Sequence, residues 1–405
     1  MKELNLNNEK VFFATEFLYS FGSCFVSESY VQAYLIMLGW EVGRISTYGT
    51  ISYAAALVSY LLFLLYKPQK GYMPLFKISA FSLLLLPTAL FLSSILSKTY
   101  VLLICVVFVF QLALGLRNSA DYSLVPSLFP RMHYGRLMSL CGIFASAVGA
   151  AISLIHSLTS AGADADTSKL LFLGAAACFV LSALCVYLYK PMETPIEISQ
   201  KTDSLRSHLN KRNLVSLIPH FLRGVTTGGF YYYIVVSYTH FKMPPELQTL
   251  LICIGTVGSM SGCFVFGKVD KHLRTGKQIL IANIMMSVCA VVTSINRSTV
   301  LFFVIYFAYM LFKNIADYAI PSGVIYQTPQ SELPFISSAR MFAMSGASFL
   351  FIPIWGKIIE LIPAFEAMTI CGLIQLCAGI LFFVQYKDTL KYIRNETTSE
   401  PEKTE

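Results

Sequence analysis

The sequence predicts an all-α membrane protein with twelve transmembrane helices arranged as two six-helix halves, and three observations lead to that class. The first is composition: of 405 residues, 56% are hydrophobic and 13% charged, with a mean hydropathy of +0.64. Soluble domains carry about a quarter charged residues, so this balance argues against a water-soluble chain. The second is spacing. Polar residues are confined to short segments between apolar runs of about 20 to 25 residues, enough to cross a hydrocarbon core of about 30 Å. The third is an internal repeat, described below.

The twelve candidate spans cover 11–38, 45–66, 73–96, 100–124, 137–158 and 170–189, then 214–238, 247–266, 278–295, 300–324, 338–362 and 365–386. They leave little chain for an extramembrane domain, so the function is expected inside the membrane. The formal net charge of +8 raises the question of a nucleic-acid partner, which the positions of the 30 Lys and Arg residues answer. With the N-terminus inside, 21 fall on the cytoplasmic side, Arg340 among them, while Arg44, Lys98, Lys169, Lys242, Arg297 and Lys357 fall outside. Arg117, Arg223 and Lys313 lie within spans. This asymmetry orients a plasma-membrane protein with both termini cytoplasmic and calls for a lipid bilayer, with no nucleic acid.

The ten cysteines all fall in spans, without CxxC pairs or metal-type spacing, and read as small apolar residues. Phe21-Gly22-Ser23-Cys24 resembles a lipobox, but Glu16 interrupts the apolar stretch before it and the run continues beyond Cys24, which argues against a cleaved signal peptide. No metal site, cofactor or nucleotide-binding loop is expected, so any work done must draw on an ion or solute gradient.

Residues 190–212 form the longest internal polar stretch, with Pro191 and Pro195 and no apolar periodicity. They read as a cytoplasmic linker between an N-terminal half, 1–189, and a C-terminal half, 213–386, with 387–405 a disordered cytoplasmic tail. The halves repeat. Arg117-Asn118-Ser119-Ala120-Asp121-Tyr122 in span 4 matches Lys313-Asn314-Ile315-Ala316-Asp317-Tyr318 in span 10, each soon followed by a proline, Pro126 or Pro321. Spans 1 and 7 match more weakly, setting Glu16 against His220 and Ser23 against Thr227. Duplication of six spans is a plan common among secondary transporters.

With these features the chain resembles the major facilitator superfamily over almost its whole length. Leu128-Phe129-Pro130-Arg131-Met132-His133-Tyr134-Gly135-Arg136 is similar to the family's basic loop after span 4, and Gly267-Lys268-Val269-Asp270-Lys271 with Gly276-Lys277 is similar to its loop motif after span 8. The loop after span 2, Lys67-Pro68-Gln69-Lys70-Gly71, lacks the Asp of that motif, and span 5 lacks the Gly-Pro pair of the family's drug-proton antiporters. The resemblance implies a monomeric carrier, not an enzyme, whose spans 1, 4, 7 and 10 line a central cavity.

Ionisable groups within a span cost roughly 2.5 to 3.5 kcal/mol each on insertion scales and are kept where they face a cavity or a partner. Here they are Glu16 and Glu28 in span 1, Arg117 and Asp121 in span 4, His220 and Arg223 in span 7, and Lys313 and Asp317 in span 10. Helical spacing puts Glu16, Ser20, Ser23, Ser27, Tyr30 and Tyr34 on one face, and His220, Arg223, Thr227, Tyr231 and Tyr238 on another. Arg117 with Asp121, and Lys313 with Asp317, are spaced to pair within one helix, and Glu16 with Arg223 is the natural pair across the halves. Glu16, Asp121, Asp317, Arg117, Arg223, Lys313 and His220 are therefore candidates for proton coupling or for a cytoplasmic gate, with mutual neutralisation as the bland alternative. Glu28, Tyr30, Tyr34, Asn118, Thr227, Tyr231, Tyr306 and Asn314 are candidates for contact with a small-molecule substrate.

The expected function is alternating-access uptake of a small polar solute such as a sugar or nucleoside, coupled to a proton, or to sodium. The alternatives are a drug or metabolite exporter of the same fold and a non-transporting membrane sensor. A membrane-embedded enzyme fits less well, because none of the six histidines stands near another at catalytic spacing.

Overall fold

The computed structural model describes residues 2–65, 72–92, 100–130, 133–159, 165–190, 211–235, 241–243, 245–269, 274–328, 332–362 and 364–387. A bilayer offers no water to backbone groups, so each apolar run closes its hydrogen bonds internally as a helix. The helices are α1 (Lys2–Phe25), α2 (Glu28–Met37), α3 (Val42–Leu65), α4 (Met73–Ser82), α5 (Leu85–Phe91), α6 (Tyr100–Leu128), α7 (Tyr134–Thr159) and α8 (Ala165–Cys185). They continue as α9 (Lys211–Phe230), α10 (Pro245–Val269), α11 (Thr275–Ile295), α12 (Thr299–Gln327), α13 (Leu333–Leu361) and α14 (Ala364–Tyr386).

Among the described residues spans 1 and 3 are each built from two helices, and span 7 is interrupted by a turn at 231–232 before helix resumes at 233. Span 1 breaks between α1 and α2, where Ser27 is extended at φ −61° and ψ 154° and its hydroxyl donates to the Cys24 carbonyl at 3.0 Å. Span 3 breaks between α4 and α5, ahead of Pro87. Among the described residues, ten helical spans are long and apolar enough to cross a membrane by length and composition. Spans 1 and 7 fall short of that measure because both carry the polar stripes that the sequence pattern marks out. The linker residues 191–210, the tail 388–405 and parts of both loop motifs, Arg131, Met132 and 270–273, lie outside the described residues.

Within the first half α1 packs on α7 and α8, and α6 on α3 and α4; within the second α9 packs on α13 and α14, and α12 on α10 and α11. The halves meet through α3 against α13 and α7 against α10, which are spans 2 with 11 and 5 with 8. A six-span repeat maps span 2 onto 8 and 5 onto 11, so these are two copies of one contact related by a pseudo-two-fold axis.

Helices in lipid gain little from burying apolar surface, so close approach relies on small residues. Gly258 and Gly262 on α10 are four residues apart and face the α12 backbone; a Cβ at Gly258 would stand 2.5 Å from the Phe307 carbonyl oxygen, and one at Gly262 would strike that of Leu311. Overpacking here costs about 2 kcal/mol. Gly258→Leu should therefore lower the melting midpoint and the monodisperse yield of the purified protein, whereas Gly174→Ala on α8, with nothing within 4 Å, should leave both unchanged.

Candidate functional site

Between the halves lies a cavity of about 420 Å³. The first half contributes Ser27, Glu28, Ser29 and Gln32 from the α1–α2 join and Tyr53 from α3; the second contributes Arg223, Thr226 and Thr227 from α9, Tyr231 just beyond it, Tyr306, Tyr309, Lys313 and Asp317 from α12, and Gln375 from α14. The break at Ser27 delivers Glu28 to the wall, because it ends α1 and restarts the chain with the acid in the first turn of α2.

The charged groups in this wall are arranged around one carboxylate. Arg223 Nη2 donates to Asp317 Oδ1, and Lys313 Nζ donates to Asp317 Oδ2 at 2.9 Å. Glu28, on the first half, accepts a hydrogen bond from the Tyr53 hydroxyl at 2.9 Å. Two cations thus share one carboxylate, with a second carboxylate contributed by the opposite half. The cavity therefore presents a charge-balanced set of donors and acceptors ringed by tyrosines.

At one end the halves are joined by neutral hydrogen bonds. Gln32 Nε2 donates to the Tyr231 carbonyl at 2.9 Å, and the Tyr231 hydroxyl donates to the Ile45 carbonyl at 3.0 Å. At the other end the Ser338 hydroxyl lies 3.4 Å from that of Ser119. Two smaller cavities adjoin. One of about 140 Å³ shares Glu28 and Tyr53 and reaches Asn118, and one of about 190 Å³ shares Arg223 and Asp317 and reaches His220 and Arg340.

No protein-family model and no curated protein matches the sequence. Solved structures do. The E. coli fucose:proton symporter superposes at a TM-score of 0.68 with 14% identity, covering 95% of this chain and 99% of the symporter. The human organic anion transporter MFSD10 gives 0.68 at 12%, covering 93% and 99%, and a D-xylose-proton symporter gives 0.67 at 13%, covering 95% and 98%. The chain adopts the major facilitator fold.

Within that fold the predicted residues other than Tyr30, Tyr34 and Asn314 separate into three groups. Glu28, Thr227, Tyr231, Tyr306, Arg223, Lys313 and Asp317 line the central cavity. Asn118 and His220 line its side branches. Glu16, Arg117 and Asp121 form a separate, buried set in the first half.

Several expectations need correction. Arg117 does not pair with Asp121: its guanidinium reaches across to Glu16 on α1, with the Tyr19 ring stacked 3.7 Å away. A long side chain bridging two helices satisfies both charges out of water, and Asp121 is left beside the pair. Glu16 and Arg223 therefore do not meet, since each has a partner in its own half. Tyr30 and Tyr34 are packed away from the cavity, the first with its hydroxyl on Ser153 and the second with its ring on Phe172. The break at Ser27 rotates α2 relative to α1, so the stripe read as one continuous face is not continuous. Asn314 turns toward Cys263 on α10. Arg340, counted from the sequence with the cytoplasmic loops, stands two turns inside α13 and is buried. Tyr238 lies outside the described residues.

The sequence reading missed Tyr53 and a chain of neutral polar groups in which the Thr226 hydroxyl donates to Gln375 and the Gln375 amide donates to Asn283. Gln375 and Asn283 are amides in the interior of strongly apolar spans, away from the span ends where Gln278 and Gln385 stand, which is the signal that could have found them.

The Glu16–Arg117 pair is almost sealed from solvent, with side-chain exposures of 3% and 2%. Removing one member of such a pair strands the other and costs about 3 to 5 kcal/mol. Glu16→Gln should accordingly cut the melting midpoint far more than the double variant Glu16→Gln, Arg117→Met, and Asp121→Asn should cost less than Glu16→Gln; equal losses from both acids would return Arg117 to Asp121.

Proposed function

We propose that the chain is a secondary carrier that moves a small polar organic solute across the plasma membrane by alternating access. The observation that carries this reading is the central cavity, walled by both halves and holding the Arg223–Asp317–Lys313 cluster opposite Glu28. Carriers of this architecture place their site at the interface of the two repeats and rock one against the other. Tyrosine, threonine and glutamine groups around a balanced set of charges suit a neutral or zwitterionic solute rich in hydroxyl or amine groups, such as a sugar or nucleoside. Symport of fucose or xylose with a proton is the activity named for two of the similar structures. The reading takes the chain as a monomer with both termini cytoplasmic.

Coupling to a proton is assigned to Asp317. While ionised it ties Arg223 and Lys313 together; protonation releases both cations to the cavity and changes what holds α9 to α12. The carrier therefore cycles with a proton bound and lost at one carboxylate in the solute path.

The first experiment is thermal stability of the purified protein against sugars, nucleosides, amino acids, carboxylates and hydrophobic cations, since a ligand that binds only the folded state raises the midpoint. A polar solute should stabilise it and be taken up by proteoliposomes under an imposed proton gradient; stabilisation by hydrophobic cations alone would replace uptake with export. In those vesicles Asp317→Asn should abolish gradient-driven accumulation while leaving counterflow exchange measurable. Normal accumulation by that variant would remove Asp317 from the coupling step.

A further inference from the structure

Arg340 is buried in α13 with 8% of its surface exposed, and it has no acidic partner among the described residues. Its Nη1 donates to the Tyr386 hydroxyl at 3.0 Å, and its Nε has no hydrogen-bond partner. A buried guanidinium left this way is costly, and one neutral phenol does not offset its charge. Arg340 lines the cavity of about 190 Å³ bounded by α6, α9, α12 and α13.

The same cavity is lined by His220, which is 2% exposed. Its Nδ1–H donates to the Ser216 carbonyl at 3.1 Å, which fixes the tautomer of the neutral ring and leaves Nε2 as an acceptor. That Nε2 is buried and has no partner. The remaining charges in the wall are Arg223 and Asp317, already paired, with Lys313 also on the same carboxylate. Three cations therefore stand against one acid at this end of α12, and the cation without a counter-charge is Arg340.

We propose that this cavity is a second binding site, for a phosphate group that keeps a proton. The anion neutralises Arg340, whose planar fork suits a tetrahedral oxyanion. The P–OH supplies what His220 Nε2 lacks, a hydrogen-bond donor. An unprotonated oxyanion such as sulfate meets the arginine but offers nothing to the imidazole, and chloride is in the same position. The phosphate comes either from inorganic phosphate or from the phosphomonoester of phosphatidate. The site adjoins the central cavity and stands independently of the carrier reading.

The test is the melting midpoint of the full-length protein in detergent at pH 7 and fixed ionic strength, titrated with inorganic phosphate, sulfate or chloride, and separately with micellar phosphatidate against phosphatidylcholine. Phosphate or phosphatidate should raise the midpoint in proportion to the logarithm of its concentration, well beyond sulfate. The arm that responds identifies the source. Sulfate is the control for general salting-out stabilisation, which acts on the whole surface. Arg340→Gln and His220→Phe should each weaken the response about tenfold or more, the loss of one hydrogen bond to a charged group. His220→Phe keeps the ring packed edge-on against Phe382, 4.9 Å away, and carries the test if Arg340→Gln fails to fold. Equal stabilisation by sulfate and phosphate, no response in either phosphate arm, or a response surviving in both variants would overturn the site.

Discussion

Charge has to be neutralised where no water reaches it, and in this protein that requirement decides which helices hold together. A lone ion at membrane depth is unfavourable by several kcal/mol, so each base inside a span draws an acid or a stacking ring toward it. Glu16 and Arg117 tie α1 to α6. Arg223 and Asp317 tie α9 to α12. Both clusters are internal to one half. The halves, by contrast, meet through glycine, cysteine and serine surfaces and neutral hydrogen bonds such as that from Gln32 to the Tyr231 carbonyl. Parting them breaks neither cluster, which is the condition a fold needs if its halves are to move against each other.

The two halves began from one plan and solved it with opposite polarity. Arg117 and Lys313 occupy equivalent places, as do Asp121 and Asp317, and the weaker repeat of spans 1 and 7 sets Glu16 against His220 and Tyr19 against Arg223. In the first half the acid comes from span 1, the base from span 4, and Tyr19 covers the base. In the second half the equivalent of Tyr19 is Arg223, so the base comes from span 7 and the acid from span 4's counterpart. The exchange has two consequences. The first half becomes a sealed structural pair, while the second opens its cluster to the cavity, with Lys313 and Asp317 side chains 41% and 35% exposed. Exposed charge is thereby concentrated on one side of the interface, with Glu28 facing it from the other.

Neutral polar groups complete the wall. Gln375 and Asn283 link α14 to α11, and Thr226 joins them from α9, so the back of the second half is a hydrogen-bonded network. Such a network is strong when every member is satisfied and holds the cavity side of α9 in register. Trp355 serves the same end. Its indole donates to the Val225 carbonyl at 2.9 Å and lies over Gly228 and Gly229, so it supports α9 from behind.

The sequence by itself determined the twelve spans, the six-span repeat and the concentration of in-span charges in spans 1, 4, 7 and 10, to which the structure adds Arg340 in span 11. These follow from hydrophobicity, length and residue spacing, which are properties of the chain read locally. Glu28, Thr227, Tyr231, Tyr306, Lys313 and Asp317, which the sequence marked as candidates, line the cavity, because a polar residue on an apolar helix has few other places to face. Only the tertiary structure decided which charge meets which. An arginine reaches as easily to a neighbouring helix as along its own, so the spacing of Arg117 and Asp121 did not fix the pair. The stripe through Tyr30 and Tyr34 failed for a backbone reason, the break at Ser27, which periodicity does not register. Arg340 was misjudged because a base near the start of a helix reads as a loop charge, and only the packing of α13 against α9 and α14 puts it out of water beside Tyr386.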